Sequence, residues 1–362
     1  MREGRNLSVV ETGSRSAIPS QGGHRPRLLL VSSHRDPQFA QLSSREHFER
    51  RPYSTAAILY NLEKRGWETA RAGLREGLNP FKLARRIDAF RPDIIYTYGS
   101  INALMPLMVR KILCRHRTFK VVHGWDDVYG EIWRDVYGKA AGWLMDRMER
   151  SIIRRSDAVV TLSLYNQQRG RTWGVESHFI PNGADIPEYD LAKTQIRLEG
   201  DFNIVYTGDQ ARWKRTADAC VAMRSLPAGI KLYLTGEHYP YLDEYASDNC
   251  IFLGFLPRHE QLCVMAQADA LVVTADQECN AKIQEYLRFD KPIVAFDGRP
   301  ALFFTHERNA LLTRDYAAAF RRLAADPDLC GRLVENAAYD LPVDSWAEIA
   351  QCFDKFFREL LQ

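Results

Sequence analysis

Short apolar runs alternate along this chain with longer stretches whose apolar positions recur every three or four residues. The first pattern is that of buried strands and the second of amphipathic helices. In the first half, Arg27–Ser32 (RLLLVS), Asp93–Tyr98 (DIIYTY), Lys120–His123 and Ala158–Ser163 (AVVTLS) read as strands. Thr55–Arg65, Ile101–His116 and Ala140–Arg155 read as helices between them. The cluster Pro181-Asn182-Gly183-Ala184-Asp185-Ile186-Pro187 then breaks the pattern, as a Pro/Gly turn should. The alternation restarts with strands at Phe202–Thr207, Lys231–Thr235, Ile251–Leu253, Ala270–Thr274 and Pro292–Phe296. Helices are expected near Thr216–Ser225, at Arg258–Gln267, from Ala281, and from about Ser345 to Leu361.

Strand–helix alternation of this kind predicts an α/β architecture with parallel sheets covered by helices on both faces. Two such units joined near residue 185 give two Rossmann-like domains, residues 25–185 and 186–345. Ligands in such sheets sit at the carboxyl ends of the strands, so the cleft between the domains is the expected site. Residues 346–362 form a closing helix expected to pack back toward the N-terminal domain. Residues 1–24 are polar and rich in Gly, Ser and Arg, and read as a disordered tail.

Composition narrows the function. At 46% hydrophobic and 26% charged residues, the profile is that of a soluble globular protein. No apolar run reaches the ~18 residues of a membrane span, and the N-terminus lacks the apolar core of a signal peptide. Seven scattered cysteines without a CxxC suggest reduced thiols in the cytoplasm and no zinc site. The nine histidines show no metal-ligand spacing, so no catalytic metal is expected. The net charge of +3 conceals an asymmetry. Residues 1–185 hold 30 Lys and Arg against 19 Asp and Glu, whereas residues 186–362 hold 19 against 27. A basic half suits an anionic membrane surface or a phosphorylated lipid, the plainer alternative being a solvated basic face. Nucleic acid is not expected, because no recognised module and no basic–aromatic alternation is present.

Two stretches of the second half carry candidate chemistry. After the strand Phe202–Thr207 come Gly208 and then Asp209-Gln210-Ala211-Arg212-Trp213-Lys214. A glycine turn before a helix lets backbone amides face an anion, and Arg212 and Lys214 add charge suited to a diphosphate. The alternative is a surface loop with solvated cations. The loop Ala275–Asn280 follows the strand Ala270–Thr274, and Lys282 and Glu285 share one side of the next helix. There a lysine can reach a phosphate and a carboxylate can accept both hydroxyls of a ribose. The alternative is an ordinary helical ion pair.

Together these stretches resemble the C-terminal domain of the family 4 glycosyltransferases, which have the GT-B fold. The resemblance runs through "IVYTGDQARWKR", "NCIFLGFLPRHEQLCVMAQADALVVTA", "KIQEYLRFDKPIVAFDG", "NALLT" and "SWAEIA". It implies that Phe255 and Leu256 bring backbone to the nucleotide base, that Gly208 and Lys214 grip the diphosphate, and that Lys282 and Glu285 hold donor phosphate and ribose. There are departures. Asp209 stands where the family usually has arginine, and Arg212 is the candidate substitute. Gln277 stands where the family has the first of two glutamates, with Glu278 beside it. Gln277, Glu278 and Asn280 are therefore the donor-sugar candidates, and Asp290 replaces a usual glycine.

In the first half, the loop Ser33–Tyr53 lacks the glycine pair common in relatives. Val122-His123-Gly124-Trp125-Asp126-Asp127 follows a strand, which makes His123 a candidate cleft residue. The resemblance implies that His123 hydrogen-bonds the donor sugar. Asp126 or Asp127 could orient an acceptor hydroxyl or abstract its proton. Their alternatives are a structural histidine and a turn or cap. Asn182-Gly183 resembles the hinge turn of relatives. The helix Ala140–Arg155 reads as core-packing with a wet basic face, or alternatively as a membrane-surface helix.

The expected function is transfer of a sugar from a nucleotide-sugar donor to a glycan or lipid-linked saccharide. Retention and independence of metal are implied by the resemblance, and the nucleotide-sugar is a substrate, not a cofactor. The expected setting is cytoplasmic, peripheral on the inner face of the membrane. The alternatives are a sugar-nucleotide epimerase on the same fold and a non-catalytic nucleotide-sugar-binding subunit.

Overall fold

The computed structural model describes residues 25–32, 45, 54–278, 280–341 and 343–362. The expected tail at 1–24, most of the Ser33–Tyr53 loop and Cys279 lie outside the described residues.

Among the described residues the first sheet contains β1 (Arg27–Ser32), β2 (Glu68–Ala72), β3 (Ile94–Tyr98), β4 (Lys120–Trp125), β5 (Ala158–Thr161) and β6 (His178–Phe179). They lie in the order β2-β1-β3-β4-β5-β6, all parallel. The second contains β7 (Phe202–Thr207), β8 (Ile230–Thr235), β9 (Cys250–Gly254), β10 (Ala270–Val273), β11 (Ile293–Phe296) and β12 (Leu311–Thr313). Its order is β12-β11-β10-β7-β8-β9, again parallel. The strand order reverses between β1 and β3 and between β7 and β10, and at each reversal two loops part to leave a crevice.

Helices α1 (Thr55–Lys64), α2 (Leu74–Gly77), α3 (Pro80–Phe90), α4 (Ser100–Ile112), α5 (Tyr129–Tyr137), α6 (Lys139–Arg155) and α7 (Leu164–Thr172) connect the first sheet. Helices α8 (Thr216–Met223), α9 (Arg258–Gln267), α10 (Ala281–Tyr286), α11 (Tyr316–Ala325) and α12 (Pro327–Asp340) belong with the second, and α13 (Trp346–Leu361) closes the chain. The unbroken apolar run of β1 has a simple cause. Leu28 and Leu30 pack into one helical layer, while Leu29 and Val31 pack into the other. A strand covered on both faces needs apolar residues at every position.

Helix α13 returns to the first sheet. Its Trp346, Ile349, Phe353, Phe356 and Phe357 join a core with Leu28, Leu30, Trp67 and Tyr96. Phe357 meets Trp67 and Tyr96 edge-on at 5.7 and 5.8 Å. The helix starts with a capping box between Ser345 and Glu348. Its first turn presses on the Asn182-Gly183 turn, where a Cβ on Gly183 would lie 2.9 Å from the Trp346 nitrogen.

Several boundaries differ from the sequence reading by a residue or two, and two of the differences have clear causes. Helix α4 ends at Ile112 rather than His116, because the chain turns to bury Cys114 and Phe119. Strand β4 runs to Trp125 rather than His123, pairing with β3 and β5 over its added length. Helices α2, α3, α5 and α7 and strands β2, β6 and β12 are not among the elements expected from the sequence. In α3 only Leu83 and Ile87 are buried, so its apolar stripe is brief, although Asn79 caps it through the Phe81 and Lys82 amides.

Candidate functional site

The reversal between β7 and β10 sets the Gly208 loop beside the loop that leads into α10. Gly208 has φ +105° and Gly236, at the end of neighbouring β8, has φ +123°. A Cβ on Gly236 would lie 2.1 Å from the Gly208 oxygen, so only glycine lets these strand ends approach so closely. Lys214 ends a single 3-10 turn, Arg212–Lys214, whose last carbonyl accepts a hydrogen bond from the Thr274 hydroxyl at 2.6 Å. Its amine donates to Gln277 Oε1 at 3.0 Å and stands 3.6 Å over the Trp213 ring.

Lys282 lies in the first turn of α10, where the Asn280 side chain accepts from its backbone amide at 3.3 Å. Its Nζ is buried, has no hydrogen-bond partner among the described residues, and lies 3.7 Å over the Tyr206 ring. The same atom is 3.4 Å from where a Cβ on Gly208 would sit. Burial, and then the neighbouring Lys214, push the Lys282 amine well below the usual lysine range, against the pull of Asp209 and Glu285. Burial likewise lowers Lys214 to about 8, opposed by Asp127 and Asp209. Two lysines that resist their charge, crowded at a glycine turn, form a site that an anion would stabilise.

The helical ion pair considered for Lys282 and Glu285 is absent. Glu285 instead forms a two-pronged bond with Arg258, at 2.6 and 3.2 Å. Arg258 follows the Gly254-Phe255-Leu256-Pro257 segment directly, so the ribose candidate is tied to the base candidate. Phe255 is 86% exposed, whereas Leu256 packs against the apolar layer beneath the sheet. Arg212 does not join the diphosphate candidates. It is exposed and stacks 4.3 Å over Tyr241 in a surface pocket with Arg215, Asp218 and Glu244. The cause is local: Asp209 accepts from the Ala211 amide and the Tyr239 hydroxyl, and that fixed turn directs Arg212 outward.

His123 also leaves the set. Because β4 continues to Trp125, the imidazole lies fully buried inside the sheet, 3.3 Å from the Thr97 hydroxyl and 3.5 Å from that of Ser100. Burial lowers its pKa to about 3, so it stays neutral. The true strand end delivers Asp126 and Asp127. Asp126 accepts from the Tyr129 hydroxyl at 2.9 Å. Burial, and then Asp127, raise its carboxyl to about 8. Asp127 is raised by burial too, with Lys214 and Gln277 holding it back.

The two halves meet across a cavity of about 230 Å³ lined by Asp126, Asp127, Lys214, Gln277, Glu278 and Asn280, with Ser54, Tyr98, Ser163, Asn182 and Arg299. Gln277 donates to Asp127 at 2.9 Å while accepting from Lys214, so its amide spans the cleft. Glu278 is buried and accepts from the Ser163 hydroxyl at 2.5 Å and the Tyr165 amide at 2.8 Å. Its carboxylate thus caps α7 from the opposite domain. Arg299 holds both Glu131 oxygens at 2.6 Å and lies 3.9 Å over the Tyr165 ring. Arg258, Ser163, Tyr165 and Arg299 were not picked out from the sequence. Arg258 alone carried a signal there, its place right after the Phe255-Leu256 segment.

Residues 20–183 match the family model described as "Glycosyl transferase 4-like domain". No curated protein matches the sequence. Among solved structures, sucrose-phosphate synthase from Thermosynechococcus elongatus superposes with a TM-score of 0.74 at 19% identity, over 93% of this chain and 99% of that one. HepE from Anabaena, in complex with UDP-glucose, gives 0.67 at 17% identity, over 92% and 99%. The catalytic domain of starch synthase IV from Arabidopsis thaliana, bound to ADP and acarbose, gives 0.63 at 12%, over 93% and 100%. With its paired parallel sheets and facing cleft, the chain has the GT-B fold of these neighbours, and its residues 20–183 match a glycosyl transferase 4-like domain.

Proposed function

We propose that this protein transfers a sugar from a nucleotide-sugar donor to a glycan or lipid-linked saccharide, with retention of configuration and without a metal. The observation that carries the reading is the Lys282 amine, buried without a hydrogen-bond partner among the described residues, over the Gly208 turn and beside Lys214. A buried cation without a partner is costly in the resting protein, and a diphosphate would supply the missing charge and acceptors. As the glycosidic bond to the diphosphate breaks, negative charge grows on the leaving oxygen. Lys214 and Lys282 then stabilise the transition state more than the ground state. The donor ribose would take up the Glu285 carboxylate, with Arg258 holding that carboxylate in place.

The acceptor hydroxyl would enter from the Asp126–Asp127 side. Asp126, raised to about 8, keeps its proton at neutral pH, and it suits orientation of a hydroxyl better than proton abstraction. Retention then fits attack from the face the leaving group departs from, with the departing phosphate taking the acceptor's proton. Gln277 and Glu278 would have to give up their contacts across the cleft for the donor sugar to enter between the domains.

Calorimetric titration of UDP, GDP and ADP into wild type and Lys282→Ala tests the donor site. HepE in complex with UDP-glucose makes UDP the first choice. Binding of one nucleotide, lost in the variant, supports the reading; no binding by any of the three removes its main support. Labelled donor supplied with and without acceptor then separates transfer from epimerisation, since an epimerase turns over donor alone. Donor binding without turnover under either condition would indicate a binding subunit.

A further inference from the structure

We propose that the outer face of α4, α5 and α6 docks on an anionic phospholipid bilayer and brings the N-terminal half to its lipid-linked acceptor. Leu104, Met108 and Ile112 recur every four residues on α4 and are 45, 38 and 59% exposed. They form one stripe along a helix whose opposite face is already filled by Ala103, Pro106 and Val109. Val136 and Tyr137 end α5 at 58 and 69% exposure, and Trp143 and Leu144 in α6 are each 59% exposed. The core-facing side of α6 is occupied by Gly142, Met145, Glu149, Ile152 and Ile153. Trp143 and Leu144 are therefore surplus to the core. Helices α4 and α5 each pack against α6, so the three stand side by side. An exposed apolar surface of this extent marks a contact with something else.

Charge identifies the occupant. Lys111, Arg115, Lys139, Arg147, Arg150 and Arg154 are exposed on the same segments, and Arg147 lies 5.0 Å over the Trp143 ring. The acids of these helices are mostly engaged: Glu149 is buried against Arg169, Asp146 pairs with Arg134 and Arg169, and Glu131 with Arg299. Asp135 is the exposed acid left among them, so apolar side chains fringed by an excess of cations fit the headgroups and upper acyl chains of an anionic leaflet. The same fringe would repel a second copy brought face to face. Helices α4 and α5 also start at the carboxyl ends of β3 and β4, next to Tyr98, Asp126 and Asp127 at the cleft. The surface stands apart from the donor site; only its link to a lipid-linked acceptor rests on the proposed transfer reaction.

The test is sedimentation of the full chain with phosphatidylcholine vesicles, with and without phosphatidylglycerol. The expected result is binding to the anionic vesicles only, reduced about tenfold or more both by Trp143→Ala with Leu144→Ala and by Arg147→Ala with Arg150→Ala. Lack of binding by wild type, or undiminished binding by both double variants, overturns the proposal. A dimer in analytical ultracentrifugation without vesicles that the Trp143/Leu144 variant dissolves also overturns it, in favour of a second copy. Nucleotide calorimetry on both variants keeps the two readings separate. Unchanged affinity shows an intact fold and donor site whatever the vesicles show.

Discussion

At the scale of the residue, the informative group is a cation held where it is least stable. Lys282 and Lys214 crowd one glycine turn, and among the described residues neither forms an ion pair with a carboxylate. Removing Lys282 should therefore have opposite effects on stability and on binding. Lys282→Met should raise the thermal stability of the ligand-free protein by about 1–3 kcal/mol, because an unsatisfied polar group leaves the interior. It should weaken nucleoside diphosphate binding about 10–100-fold through loss of a charge-assisted hydrogen bond. Calorimetry and thermal melts on one preparation check both signs. Lys214 sets a pH dependence. Its folded pKa of about 8 lies below the ordinary 10.5 of the unfolded chain. Between those values the unfolded state binds the extra proton, so ligand-free stability should rise with pH across that window. Diphosphate binding needs the charged amine and should weaken as pH climbs through about 8. Affinity that stays flat across this range would dissociate Lys214 from the anion site.

At the scale of the element, two added residues of strand decided the fate of a candidate. His123 was placed at a strand end from an apolar run that stops before it. Gly124 and Trp125 nevertheless stay in register with β3 and β5. The pairing buries the imidazole and moves the cleft position to Asp126 and Asp127. Close approach of strand ends matters as much. Gly236→Ala would press a methyl into the Gly208 carbonyl at a backbone conformation side chains rarely adopt. The expected loss is at least about 2 kcal/mol, read by denaturant unfolding, with nucleotide affinity falling as the Gly208 turn shifts. Helix α13 is a further case. Phe357→Ala should cost about 3–5 kcal/mol, because the ring fills a core shared with Trp67 and Tyr96.

At the scale of the whole molecule, links among the described residues hold the cleft, including Gln277 to Asp127, Glu278 to Ser163 and Tyr165, and Arg299 to Glu131. The first explains why a neutral amide suits position 277. Gln277 can accept from Lys214 and donate to Asp127 at once, whereas a glutamate would face Asp127 with like charge. Gln277→Glu and Arg299→Ala should each increase the radius of gyration of the ligand-free protein in small-angle scattering. The first effect should shrink at acid pH, where a shared proton restores the bond. Dimensions identical to wild type in both variants would mean that the cleft is held by α13 and the Asn182-Gly183 turn alone.

The sequence by itself determined the architecture. Short apolar runs such as Leu28–Val31, bounded by polar residues, suit strands covered on both faces, and their alternation with helices leads to a parallel sheet. It also determined that Gly208, Lys214, Lys282 and the two aspartates would gather, because each sits at a strand's carboxyl end or just beyond it. Partners were a different matter. That Glu285 takes Arg258, that Glu278 caps α7 and that Gln277 joins Lys214 to Asp127 depends on contacts between residues 27 to 150 positions apart. No local pattern encodes such pairs. Pairs across the cleft are set by how the two sheets face each other, and pairs within a domain by the strand order of its own sheet; strand pairing also closed the sheet around His123, while the Asp209 turn directs Arg212 outward.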